Sequence, residues 1–182
     1  AKHNYPFWSA VNTMMLGWVH VENGQPLVGI SQIQQGLLMW QAMNNEVGLS
    51  YFLSLLAQAQ HTTRQVEDEL ATLAEALRAP SHVGNWWKAE LYRLKGEALL
   101  QNGSPQAEVE ECFIHALHLA RQQNAKSLEL RAAISLSRLW QAQGKLTPAY
   151  ALLYEIYSWF TEGFDTTDLR EAQALLQQLA NA

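Results

Sequence analysis

The sequence predicts an all-α protein, an array of about four stacked helical hairpins closed by a C-terminal helix. Three observations point there: an internal period near forty residues, small residues at matched distances from a recurring turn, and apolar residues at helical spacing with few strand signals. The turns set the period. Gly24 sits in Glu22-Asn23-Gly24-Gln25-Pro26, Gly103 in Gln101-Asn102-Gly103-Ser104-Pro105 and Gly144 in Gln141-Ala142-Gln143-Gly144-Lys145. The intervals, 79 and 41 residues, are two steps and one step of one repeat. The missing anchor falls at Arg64, in a polar stretch between apolar segments. Seven residues before the anchors stand Gly17, Ala57, Gly96 and Ser137. Twelve after them, with one inserted residue following Gly103, stand Gly36, Ala76, Ala116 and Ile156. Small side chains let two helix backbones approach. That is a packing reason for mid-helix glycine, which otherwise costs about 1 kcal/mol against alanine.

Each element follows from this frame. The first helix, 5–21, ends before the Gly24 turn, and the second, 26–44, carries Gly36. The third, 47–61, carries Ala57. The fourth, 64–78, leaves the Arg64 turn and carries Ala76. The fifth, 85–101, places Leu91, Leu94 and Leu99 at helical spacing before Gly103. The sixth, 105–123, opens on Ser104-Pro105, an N-cap followed by proline at the first helical position, and buries Cys112, Phe113, Ala116 and Ala120. The seventh, 126–142, repeats Leu128, Ala132, Leu136 and Leu139. The eighth, 147–161, opens on Thr147-Pro148 in the same way, and the ninth, 168–180, opens on a capping-box pattern of Asp168 with Glu171. The repeats are thus 5–44, 47–78, 85–123 and 126–161, with 168–180 as the cap that an array needs over its last apolar face. No linker divides residues 1–182, so a single domain is expected. Ala79–Asn85 reads as the widest inter-repeat loop.

Composition narrows the function. Of 182 residues, 48% are apolar and 16% charged, which argues for a folded core. The formal charge of −5 argues against a phosphate-neutralising surface, so no nucleic acid is expected as partner. One cysteine, Cys112, excludes an internal disulfide and a cysteine-rich zinc site. No apolar run is long enough for a membrane span, and the start does not resemble a signal peptide; a cytoplasmic location is expected. The chain opens on Ala1 rather than methionine, so it is expected to be part of a longer protein.

The small residue, the turn glycine seven later and the small residue twelve beyond it resemble the tetratricopeptide repeat. The usual repeat is shorter, which longer second helices explain. Arg64 in place of glycine and Glu69 in place of a small residue depart from the pattern. Three stretches look closer to one subgroup: Trp86 to Glu97, Ala125 to Ala133, and Trp159 to Leu169. They resemble the C-terminal repeat region of large bacterial regulators that carry a signal-transduction ATPase module preceded by a nucleotide cyclase or a DNA-binding domain. The resemblance implies a right-handed α-solenoid acting as a protein-interaction or intramolecular regulatory scaffold. Its partner would be a protein, a peptide or a neighbouring domain.

Chemistry is absent by motif. There is no G-x-G, no phosphate loop, no H-E-x-x-H and no G-x-S-x-G, so neither an enzyme nor a cofactor is expected. Glu108, Glu111, Cys112 and His115 share a helix face that zinc would accept, but Cys112 adjoins Phe113 and Ala116 on the packing side, and the glutamates complement the helix dipole. No metal is expected. The tryptophans read as repeat-to-repeat core, with one of Trp86 and Trp87 left partly exposed. The family's concave positions, counted back from the turn anchors, place Met14, Trp18, Tyr51, Gln58, Glu90, Arg93, Glu97, Arg131 and Arg138 on the partner-binding groove. Its early part is apolar and its late part rich in arginine, which suits a peptide with an apolar end and an acidic end. Intra-array pairs such as Glu90 with Arg93 or Arg131 are the competing expectation. The rivals are a small-molecule sensor with Met14, Trp18 and Tyr51 lining an apolar pocket, and a homodimer formed through an exposed aromatic patch.

Overall fold

The computed structural model describes residues 5–78 and 85–181. Among these residues there are nine α-helices, a short 3-10 turn at Asn85–Trp87 and no β-strand. The helices are α1 (Pro6–Glu22), α2 (Pro26–Ala42), α3 (Leu49–Thr62), α4 (Val66–Arg78), α5 (Lys88–Gln101), α6 (Gln106–Gln122), α7 (Lys126–Ala142), α8 (Leu146–Tyr157) and α9 (Thr167–Ala180). The expected loop at 79–84 lies outside the described residues. Its last residue, Asn85, opens the 3-10 turn.

Among the described residues one turn recurs six times. Gly24, Asn44, Arg64, Gly103, Asn124 and Gly144 all have φ between 50° and 76°, in the left-handed region. At each, the residue's N–H donates to the carbonyl three back, and the next N–H donates to the carbonyl five back. At Gly144 these bonds run to Gln141 at 3.0 Å and, from Lys145, to Trp140 at 2.8 Å. This is the Schellman ending, which satisfies carbonyls that the last helical turn leaves open. Arg64 adopts it at φ 57° with bonds to His61 and Gln60, so the position expected to be glycine keeps the geometry of glycine.

Three expected caps differ. Ser104 does not cap α6; Pro105 is its N-cap, and α6 starts at Gln106. Lys145 is the N-cap of α8, which puts Thr147 and Pro148 inside the first turn, where a missing N–H is harmless. Asp168 and Glu171 form no capping box, because both carboxylates are held by arginines of α7. Helix α8 also stops four residues short of expectation. There Ser158 Oγ donates to the Glu155 carbonyl at 3.0 Å, a local bond that competes with helix propagation.

The contacts divide the chain into two compact units, residues 1–94 and 95–182. In the first, α1 and α2 pack at glycine distance. A β-carbon on Gly17 would stand 2.8 Å from Ile33 Cγ1 and 2.9 Å from the Gly29 carbonyl oxygen, and one on Gly36 would strike Met14 and stand 3.0 Å from the Ala10 carbonyl oxygen. The hairpin of α3 and α4 uses alanines at the same register, with Ala57 and Ala76 buried, and Ser50 Oγ donates to the Ala76 carbonyl at 3.3 Å. Glu69 is wholly buried in α4, and His61 Nδ1 lies 3.1 Å from both of its carboxylate oxygens. In the second unit Gly96 admits the Phe113 ring, and Ser137 Oγ donates to the Ala149 carbonyl at 3.1 Å. Helix α7 packs on α6 and α8, and α9 covers α7 and α8 with Leu169, Ala172, Leu175, Leu176 and Leu179. All eight matched small positions are buried, Ile156 included.

Candidate functional site

In the first unit the first helices of the hairpins carry an aromatic and polar surface. Tyr51, half-buried in α3, stacks on Trp86 at 6.1 Å and 25° and meets Trp87 edge-on at 5.3 Å. Trp87 Nε1 donates to Ser54 Oγ at 2.8 Å, and Ser54 Oγ donates to the Tyr51 carbonyl at 2.6 Å. Gln58 joins from the next turn, its Nε2 donating to the Ser54 carbonyl at 3.1 Å. Tyr51, Gln58 and Trp87 therefore belong to one fixed constellation, and Trp86 stands beside it 54% exposed. The rings continue inward from Phe52 to Trp40 at 5.1 Å, then back out from Trp40 to Phe7 at 4.9 Å and Phe7 to the exposed Trp8 at 5.0 Å.

Two expected surface residues are corrected. Met14 is fully buried, because the absence of a side chain at Gly36 draws α2 onto it; it lines no groove or pocket. Glu90 is 1% exposed and is gripped by Arg93, whose Nη2 and Nε donate to its two oxygens at 2.8 and 3.0 Å. That is the expected internal pair, and with its burial it leaves the Glu90 carboxylate out of a partner's reach. Trp18 remains half-buried in α1. Of the tryptophans only Trp40 is fully enclosed. Trp18, Trp87 and Trp140 are half-buried, and Trp8, Trp86 and Trp159 are exposed, so the ring set is less of a core than its composition suggests.

In the second unit the expected arginines share one face of α7, and both hold acids of α9. Arg131 Nε donates to Asp168 Oδ2 at 2.7 Å, and Arg138 Nη1 lies 2.7 Å from Glu171 Oε1. Glu97 accepts a hydrogen bond from Ser135 Oγ at 2.6 Å. Asp168 and Glu171 were legible only as a cap motif. The signal for their true role is that α9 continues the series of first helices, so its opening turn lies beside α7.

Elsewhere the electrostatics are structural. Burial raises the Glu129 carboxyl, and hydrogen bonds from Lys126 at 2.7 Å and Arg121 at 2.8 Å outweigh it, leaving the group below the usual carboxylate range. Glu110 is lowered chiefly by the Trp140 indole N–H, donating at 2.8 Å. Burial pushes the Cys112 thiol up. Glu108, Glu111 and His115 are exposed while Cys112 is buried. Among the described residues no group of three or more His, Cys, Asp or Glu side chains comes close enough to hold a metal. A hollow of about 260 Å³ opens where α7 begins, between Ser127, Leu130, Phe160, Gly163 and Thr166. It is small for an organic ligand, whose pockets usually exceed about 300 Å³. No described helix is long and apolar enough to cross a membrane.

No protein-family model matches the sequence, and no curated protein matches it. The fold does have a counterpart. A crystal structure described as a kinesin light chain of Podosopora anserina with nearly identical TPR-like repeats superposes with a TM-score of 0.69, over 98% of this chain and 95% of that one, at 16% sequence identity. The likeness establishes a TPR-like fold of helical hairpins. Folds of this kind commonly serve as protein-interaction scaffolds, because stacked hairpins present long surfaces.

Proposed function

We propose that residues 1–182 work as one repeat domain, a non-catalytic cytoplasmic scaffold in a larger bacterial signalling or transcription regulator. It would bind a protein segment, or a neighbouring domain of its own polypeptide, along the first-helix faces. The regulator context rests on the stretches around Trp86, Ala125 and Trp159. The binding role rests on one observation above others: the Tyr51–Trp86 stack. Two rings are held in fixed orientation by Trp87 and Ser54, and the outer ring is left more than half exposed. Rigid, half-exposed aromatics are characteristic anchors of protein interfaces. Tyr51, Gln58 and Trp18 would contact apolar side chains, and Arg131 and Arg138 would take carboxylates in the way they take Asp168 and Glu171.

A phage-displayed library of random peptides, panned on the purified chain, tests this. Peptides with aliphatic or aromatic residues and acids should be enriched. Trp86→Ala should weaken them at least tenfold, about 1.4 kcal/mol or more, and Arg131→Glu with Arg138→Glu should remove the acid preference. No enrichment, or capture indifferent to both variants, rejects the reading.

A further inference from the structure

The hollow of about 260 Å³ in the second unit is built from one short turn and the starts of two helices, α7 and α9. Leu130 and Leu169, both buried, and half-buried Phe160 supply its apolar lining. The turn between α8 and α9 is fixed. Gly163 has φ 76°, and the amide and the hydroxyl of Thr166 both donate to the Gly163 carbonyl, at 2.9 and 2.7 Å. Glycine at 163 also keeps the wall bare: a β-carbon there would stand 3.7 Å from Leu169 Cδ1 and 3.8 Å from Thr166 Cγ2, two of the lining residues. The space is too small for a cofactor-sized molecule and suits one long side chain.

The charged part of the lining is acidic. Glu162 and Asp168 contribute carboxylates, Ser127 and Thr166 hydroxyls, and among the described residues no lysine or arginine lines the hollow. Glu162 is exposed and has no ion-pair partner among the described residues. Apolar walls beside an uncompensated carboxylate match four methylenes that end in an ammonium. The same corner of the fold shows this recognition carried out within the chain. Lys126 Nζ lies 5.5 Å from the centroid of the Trp159 ring and 2.7 Å from a Glu129 carboxylate oxygen, an ammonium held between a ring and an acid. Phe160 and Glu162 offer a second ring and acid, and the chain places no ammonium of its own among the lining residues.

We propose that this hollow takes a lysine side chain from a protein segment docked on the second unit. The methylene stem covers Leu130, Phe160 and Leu169, and the ammonium meets Glu162 and Asp168. Lysine fits better than arginine. Asp168 already gives Oδ2 to Arg131 Nε, so it offers no free fork for a guanidinium, whereas a compact ammonium needs only single-oxygen contacts. A segment that gives a carboxylate to Arg131 can give a neighbouring lysine to the hollow. That the occupant belongs to a protein rests on the scaffold reading above, but none of the lining residues is among those assigned there to the partner.

Titration of the isotope-labelled whole chain with N-acetyl-lysine N-methylamide, followed by amide NMR, is the test. Saturable shifts are expected at Leu130, Gly163 and Thr166, with a Kd on the order of 10 mM. The norleucine analogue, which keeps the stem and lacks the ammonium, should bind roughly threefold more weakly or worse, and Glu162→Gln should weaken the lysine probe by roughly the same factor while leaving the rest of the spectrum in place. n-Butylamine, stem and head without a backbone, should bind no more tightly than the lysine probe. No saturable shift up to about 50 mM, equal binding of the norleucine analogue, indifference to Glu162→Gln, or tighter binding of n-butylamine would overturn the assignment. Loss of peptide capture through Trp86 would leave these shifts standing, so the two readings fail separately.

Discussion

Arg64 shows how far a single residue can be forced. Its neighbours in the turn series are glycines and asparagines, which enter the left-handed region at little cost. Arg64 enters it at φ 57° because the helices on both sides are already committed to the hairpin. Arg64→Gly should therefore raise stability by a few tenths to about 1 kcal/mol, the relief of left-handed strain less the entropy that glycine loses; a thermal melt of the pair reads it directly. Glu129 is the converse case, a buried acid that belongs. Its carboxyl is lowered in the folded chain, so its contribution is present above the unfolded carboxylate pKa and lost as pH falls through the folded one. Glu129→Gln should cost about 1–2 kcal/mol at neutral pH. Urea titrations should show the difference from the native chain shrinking once the medium falls through the acid range. The failed residue readings have one source. Met14 and Glu90 were placed by counting from the turn, and counting does not see that Gly36 admits a helix or that Arg93 bends back one turn.

At the scale of the element, the α1–α2 hairpin is the clearest case of packing overruling propensity. Alanine is a better helix former than glycine by about 1 kcal/mol. At Gly17 the added methyl would meet the Gly29 carbonyl and the Ile33 amide nitrogen, each at 2.9 Å, and backbone atoms do not yield as a side-chain tip does. Overpacking of this kind costs about 1–3 kcal/mol or more. Gly17→Ala should thus lower stability by about 1–2 kcal/mol net of propensity, seen as an earlier midpoint in chemical denaturation. Helix existence and pairing were legible because small residues, with Ile156 the exception, recur at matched places around a recurring turn. The capping side chains were not, although the starts themselves fall within three residues of expectation. Ser104, Thr147 and Asp168 look like caps in isolation, but Pro105 and Lys145 stand at the first two caps, and the arginines of α7 hold the acids of the third.

For the whole molecule, legibility follows range. The fold rests on contacts between helices adjacent in sequence, which a forty-residue period exposes. The candidate surface rests on pairs more than thirty residues apart, such as Trp87 with Ser54 and Arg131 with Asp168, and no local pattern announces them. The six left-handed turns carry a kinetic corollary. Helices α1, α2, α3, α5, α6 and α7 each end in their own stop signal, so a hairpin can form without waiting for a remote segment to arrive. Little loop-closure entropy has to be surmounted before native contacts begin to accumulate, and a chain of such low contact order can acquire structure progressively as it leaves the ribosome.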